Sequence, residues 1–408
     1  AAVGDASERQ ADSTPGGDLA HPVVDADNHY YEALDAFTRH LDPAWGQRCV
    51  QWCDIDGRKY HVVGGRVSRA VSNATFDPIA RAGAMHDYFR GNPDGRDPLS
   101  FLTEREAIRP EYRDRDARIG VLDEQGLAAC WMFPTLGMIY EEQLTHDPEA
   151  VCVTFRAFNR WVEEDWGFNH RDRIFGAPYL SLADPQWALE ELEWAVDAGA
   201  RLVVMRPAAP TTATGRRSPF DPANDRFWRA LEESGLTLVL HAGDGGVSFN
   251  GYAPEGFAAT FGGSWKPSIK FYAIEQAIRD WLLSMMFENH LAKFPGLRIA
   301  SVENGAEFLG DMFNKLRSNA AKIPGYYPED PVEMFRRSVW INPFWEDDVD
   351  SVVELMGAES VLFGSDWPHI EGMPQPLDYL PELNKLDDEQ RRAVLFDNAS
   401  ELIAPPAS

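Results

Sequence analysis

Apolar and polar positions fall into alternating blocks along this chain. From about residue 113 onward, each stretch with helical spacing is followed by a short, nearly unbroken apolar run. The spacing predicts helices over 114–125, 148–166, 186–198, 224–234, 269–291, 306–317, 347–356 and 387–402. The apolar runs 126–133, 174–180, 200–206, 236–241, 297–303, 338–342 and 360–366 read as strands, and an earlier run that starts at Val23 adds one more. Apolar runs without polar alternation are expected of strands buried on both faces. Strands that alternate with helices imply a parallel sheet. Eight such units in roughly 380 residues suit an α/β fold of the closed (β/α)8 TIM-barrel type with insertions. An open doubly wound sheet is the alternative. No G-x-G-x-x-G follows the first strand, so a dinucleotide site has no support.

Two stretches break the rhythm. Residues 45–112, after strand 1, are rich in Gly, Arg, Asp and Pro and too long for a plain connection. They read as an insertion over one end of the fold, serving as a cover or as a homodimer contact. Residues 242–267, after strand 5, interleave Gly243, Gly245, Gly246 and Gly251 with Phe249, Tyr252, Phe257, Phe261 and Trp265. Such a loop suits a lid over a largely apolar acyl or ring substrate; the plainer reading is a long loop packed on the barrel rim. Residues 1–20 read as a flexible tail ahead of a barrel domain spanning 21–408.

Polar residues recur where the apolar runs end. The first run closes on Asp25, Asp27 and His29, which share one face of an extended strand. His241 ends the fifth, Glu303 the sixth and Asp366 the eighth. In a barrel these ends converge on one mouth. Each residue has a bland explanation: a hydrogen-bonded core histidine, a carboxylate at a helix start, an aspartate opening a turn. Together they match the donor set of a divalent cation such as Zn, Fe, Mn or Co, as one ion or two. His369, three residues past Asp366, is either a proton carrier at the mouth or a loop cap. Arg206 ends the fourth run as a candidate substrate-carboxylate ligand, and Trp367 as a candidate substrate contact; His290 reads as structural.

Composition narrows the partners. With 38 basic and 65 acidic side chains, the net charge of −27 disfavours nucleic acid and anionic membranes. No apolar run is long enough to span a bilayer, and the N-terminus lacks the basic and apolar regions of a signal peptide. Four cysteines without paired spacing fit a reducing, cytoplasmic setting better than a zinc finger.

The stretches 24–32, 240–243, 302–308 and 363–369 resemble the amidohydrolase superfamily, in the amidohydrolase family 2 branch that includes aminocarboxymuconate-semialdehyde decarboxylase-like proteins. The resemblance runs from about 22 to 402 and weakens across 45–112. It implies a distorted barrel with metal at its mouth, an H-x-H ligand pair at Asp27 and His29, a ligand at His241, and Asp366 as a ligand or handler of a water proton. Two departures stand out: Asp27 replaces the first histidine, and Glu303 replaces the sixth-strand histidine. Arg206 stands where some relatives carry a carbamate-forming lysine.

The chemistry expected first is hydrolysis of an ester, thioester, amide or lactone by metal-activated water, with Asp366, Glu303 and His369 as the catalytic groups. This expectation covers a thioesterase or an amidase. The alternative is non-oxidative decarboxylation of an aromatic or enol carboxylate, with the missing sixth-strand histidine counting against it. A third reading is a metal-retaining binding protein without turnover.

Overall fold

The computed structural model describes residues 19–246, 252, 267–344 and 347–407. Most of the 1–20 tail and of the 242–267 lid-like loop therefore lies outside the described residues.

The strands that build the site are β1 (Val24–His29), β2 (Ala129–Phe133), β3 (Ile174–Gly176), β4 (Leu202–Met205), β5 (Thr237–His241), β6 (Arg298–Val302) and β7 (Val339–Ile341). β1, β2 and β3 pair in parallel, as do β4, β5, β6 and β7. Single bridges close the ring: Tyr179 to Val204 joins the two groups on one side. On the other side, Ile341 meets Val361 and Asn28 meets Trp367. The eighth run is thus an irregular strand over 361–367. Leu362 N–H donates to Ile341 C=O, Ala26 N–H to Phe363 C=O, and Asp366 N–H to Asp27 C=O. Strands β2 to β5 are buried along their whole length, as expected for barrel strands covered by helices.

Local chemistry starts the helices. Three of them, α3 (Pro148–Asp165), α4 (Pro185–Asp197) and α8 (Pro331–Ser338), begin Asp–Pro. The aspartate side chain accepts a first-turn N–H, and proline takes a position that needs no donor. Earlier come α1 (Arg115–Glu124), capped by Asp114, and α2 (Gly137–Gln143). α5 (Asp225–Ser234) stops at Gly235, whose φ of 68° is left-handed. α6 (Ala273–Phe287) and α7 (Leu309–Lys322) follow, and α9 (Val349–Met356) precedes the eighth strand. The sequence pattern omitted α2 and α8. No described helix is long and apolar enough to cross a membrane.

Between β1 and β2 lie two small antiparallel sheets, one of three strands over residues 50–67 and one pairing Ile79–Ala80 with Arg105–Glu106. Residues of this stretch, from Tyr60 to Arg105, form one wall of a cavity of about 490 Å³ whose floor holds His29, His241 and Glu303.

Candidate metal centre

Register places the site. β5 pairs with β6 from Thr237–Arg298 through His241–Val302, so Glu303 is the next residue beyond His241's partner. Asn304 Nδ2 donates to Leu240 C=O, and Asn342 Oδ1 accepts from Glu303 N–H, tying the ends of β5, β6 and β7 together. Glu303 and Asp366 both have positive φ, 61° and 57°. Such backbone is unfavourable for residues other than glycine and persists only where its surroundings enforce it.

The first strand departs from simple alternation. Its pairing with β2 slips between Asp25 and Asn28. Asp27 and His29 reach the mouth, while Asp25 accepts hydrogen bonds from Ser365 N–H and Asn28 Nδ2. Asp25 therefore ties the first strand to the eighth instead of joining the cluster. Burial lifts its carboxyl to about 6, against the pull of the Ser365 bonds. Arg118 is also buried; it donates to Asn28 Oδ1 and His29 C=O, and its guanidinium sits over Trp367 at 4.8 Å.

At the mouth, His29 Nε2 lies 3.1 Å from Asp27 Oδ1, 3.1 Å from Asp366 Oδ1 and 3.5 Å from Glu303 Oε2. His241 Nε2 lies 3.2 Å from Asp27 Oδ1 and 3.1 Å from Glu303 Oε2. The other ring nitrogens are engaged: His29 Nδ1 with Pro134 C=O at 3.1 Å and His241 Nδ1 with Ala242 C=O at 2.8 Å. With Nδ1–H donating to a carbonyl, each Nε2 presents a lone pair, the tautomer a metal ligand requires.

The donors of Asp27, His29, His241 and Glu303 all lie within 4.8 Å of one another, as do those of His29, Glu303, Asp366 and His369. Asp27 Oδ2, His29 Nε2, both Asp366 oxygens and His369 Nδ1 are buried without a hydrogen-bond partner, although several sit at contact distance. Buried polar atoms left in this way are costly. Lone pairs that converge without bonding one another fit a cation between them.

Charge agrees. Burial lowers the basicity of His29 and His241, but the facing carboxylates overcome it. His29 is raised well above the usual histidine range, chiefly by Asp27 and Asp366, and His241 is raised to about 9 by Asp27 and Glu303. Burial raises Glu303, yet its bonds to His241 and His29 hold it below the usual carboxylate range. Asp366 is raised well above that range by burial and by the Glu303 charge. Without a metal, the cluster draws in protons as its positive charge.

His369 stacks on His29 with ring centroids 3.9 Å apart. Thr135 Oγ1 donates to Tyr30 C=O, so it accepts from His369 Nε2–H at 2.8 Å. That leaves the His369 Nδ1 lone pair facing Asp366 Oδ1 at 2.8 Å. Burial, then the nearby His29 charge, lower His369 to about 4.

The structure brings Asp27, His29, His241, Glu303, Asp366 and His369 together, but Arg206 and Trp367 do not line the cavity. Arg206 is buried, ion-paired with Glu141 and Glu142, and donates to Asp244 C=O. Its Nε and Nη1 are engaged in this way, and Nη2, which has no hydrogen-bond partner among the described residues, is buried away from the cavity. Trp367 is buried between Tyr112 and Arg118. His290 is a core histidine among Phe220, Trp228 and Phe294. The sequence reading missed Glu371, a cavity-lining carboxyl that burial and Asp366 raise to about 8; its place two residues past His369 was the available signal.

Residues 109–403 match the amidohydrolase family. An amidohydrolase structure from Mycobacterium avium subsp. paratuberculosis K-10 is 41% identical, with a TM-score of 0.88 over 95% of this chain and 98% of that one. A gamma-resorcylate decarboxylase of Rhodococcus jostii is 25% identical over 269 residues, 62% of this chain and 77% of the relative. A dihydroxybenzoic acid decarboxylase structure from Polaromonas sp. JS666, with bound manganese and 2-nitroresorcinol, shares the fold with a TM-score of 0.58 at 18% identity, over 80% of this chain and 94% of that one.

Proposed function

The chain belongs to the amidohydrolase superfamily, in its aminocarboxymuconate-semialdehyde decarboxylase-like branch, and from that premise we propose that it is a metal-dependent, non-oxidative decarboxylase of an aromatic carboxylate. The observation that carries this reading is the relationship to a gamma-resorcylate decarboxylase. It favours decarboxylation over the carbonyl hydrolysis expected first from the sequence. The cavity agrees, since Tyr31, Phe76, Ile79 and Leu136 give it apolar walls suited to a flat ring.

Asp27, His29, His241 and Glu303 would hold a divalent cation, with Asp366, 3.1 Å from His29 Nε2, as a further donor. When bound, the cation supplies a positive centre that orients an anionic substrate and stabilises developing negative charge. A single ion is the simpler fit. The two donor groups share His29, whose Nδ1 is already engaged by Pro134, so its one free nitrogen serves one ion at a time. Manganese is the first ion to try, given the bound manganese in the Polaromonas structure.

The chain's own groups handle the proton. As the bond from ring carbon to carboxylate breaks, carbon dioxide leaves and the electron pair stays on the ring carbon, which must take a proton. Asp366 is the proposed donor, because its carboxyl is buried at the cluster, 3.1 Å from His29 Nε2 and 2.8 Å from His369 Nδ1. His369 Nδ1 presents its lone pair to Asp366, so it orients the Asp366 proton by accepting it rather than supplying one. Thr135 fixes the imidazole tautomer that leaves this lone pair free.

The test is to incubate manganese-loaded protein with a panel of hydroxybenzoates, 2,6-dihydroxybenzoate included, in ¹⁸O water. Equimolar carbon dioxide and arene are expected. Turnover of an ester or amide panel with ¹⁸O in the acid product, and no carbon dioxide from any arene, would return the assignment to hydrolysis.

A further inference from the structure

The cavity is larger than a one-ring acid needs. At about 490 Å³ it lies in the range that houses ligands of two or more rings, several times the volume of a single hydroxybenzoate. Its two ends also differ in chemistry. The inner end holds His29, His241 and Glu303, all buried. The outer end holds Arg69 and Arg105, both exposed and both contributed by the stretch between β1 and β2.

Both arginines are held without a carboxylate partner among the described residues. Arg105 sits between Glu104 and Glu106, yet Glu104 pairs with Arg81 at 3.7 Å and Glu106 with Arg109 at 3.1 Å. Among the described residues, neither Arg69 nor Arg105 forms an ion pair. Arg69 instead lies over the ring of Tyr60, itself a cavity residue, at 4.7 Å. That stacking limits its swing and leaves the edge of the guanidinium free, the edge that binds a carboxylate or phosphate in bidentate fashion. Each is an exposed, cavity-lining cation without an ion pair among the described residues, and so a place where an anionic ligand group is favoured.

We infer that the natural substrate is an elongated aromatic carboxylate bearing a second anionic group at the end remote from the reacting carboxylate, and that Arg69 and Arg105 hold this second group. The inference rests on the decarboxylase reading for the aromatic carboxylate at the inner end. The outer subsite follows from the cavity and the two arginines alone.

The test uses manganese-loaded full-length protein and two biaryl probes, a 2,6-dihydroxybenzoate bearing at its 4-position a phenyl ring that ends either in a carboxylate or in a methyl group. Calorimetry reads both dissociation constants. The carboxylate-ended probe should bind about tenfold tighter or better, the range of a charge-assisted contact at a partly exposed site. The preference should shrink as salt rises, and should vanish in the Arg69→Gln, Arg105→Gln double variant while the methyl-ended probe binds as before. Equal binding of the two probes, failure of both to bind, or a preference kept by the double variant would overturn the inference. Carbon dioxide release is counted separately. Discriminating binding without release from any arene removes the decarboxylase reading and leaves the anion subsite standing; release without discrimination does the reverse.

Discussion

Gly364 lies so close to Asp27 that a Cβ built on it would stand 2.7 Å from the Asp27 Cβ, and 2.9 Å from Asn342 Nδ2. The eighth strand can approach the first only because that atom is missing, and the approach brings Asp366 to the Asp27–His29 pair. Gly364→Ala should therefore push the two strands apart. Overpacking at such a site costs about 1–3 kcal/mol, and the metal donors should separate with it. Thermal unfolding and manganese titration of the variant should show lower stability and weaker binding together. Wild-type manganese affinity in a folded Gly364→Ala protein would show that the strand spacing does not set the site.

Much of this was legible in the residues themselves. The unbroken apolar runs locate the strands because burial on both faces leaves no room for polar alternation. The ends of those runs locate Asp27, His29, His241, Glu303 and Asp366, because register carries them to one mouth. What stayed hidden depends on contacts between distant segments. The slip between Asp25 and Asn28 turns Asp25 toward Ser365, and no local pattern marks it. Arg206 looks like a substrate ligand until Glu141 and Glu142, about sixty positions earlier, are seen to engage it. The cavity wall from Tyr60 to Arg105 has no period to read, since its small sheets are held by pairing rather than by an amphipathic face.

Metal binding should release protons. In the metal-free protein His241 is raised to about 9 and His29 well above its usual range, so both carry protons at neutral pH. A metal ligand must be a neutral imidazole, so each proton has to leave. Affinity should rise with pH by up to about tenfold per pH unit for each proton displaced, and its slope should ease near 9 as the His241 proton is lost. Calorimetry with manganese at pH 7, in buffers of different ionisation enthalpy, reads the number released. A buffer-independent enthalpy would mean that the histidines are already neutral.

The single free nitrogen on His29 underlies the one-ion proposal. One ion per chain is expected in protein loaded with excess manganese and then desalted, as read by elemental analysis. Two tightly held ions per chain would require a donor set that does not share His29.

Arg206 should matter to stability rather than to recognition. Arg206→Met leaves the buried Glu141, and the half-buried Glu142 that also meets Arg216, beside an uncharged side chain. Breaking one side of a buried ion pair typically costs about 3–5 kcal/mol. The variant should unfold at a clearly lower temperature or denaturant concentration. At a temperature where it is folded, KM for an arene carboxylate should be close to wild type. A large rise in KM with unchanged stability would place Arg206 in contact with substrate after all.

Asp366 and His369 should act as a proton-handling pair. Asp366→Asn keeps the size of the side chain and removes the exchangeable acid, so carbon dioxide release should fall by about 10²–10⁴, the usual contribution of a positioned acid. Asp366 is also a cation donor, so manganese content is measured in the same samples and activity is compared per bound ion. His369→Gln keeps a hydrogen-bonding group near Thr135 but removes the acceptor nitrogen that faces Asp366. It should lower kcat less than the Asp366 change and leave KM nearly unchanged, because His369 acts by orienting Asp366. The pair should be non-additive, the double variant being little slower than Asp366→Asn alone. Fully additive losses, or wild-type kcat per bound ion in Asp366→Asn, would separate the two residues and remove Asp366 as the donor.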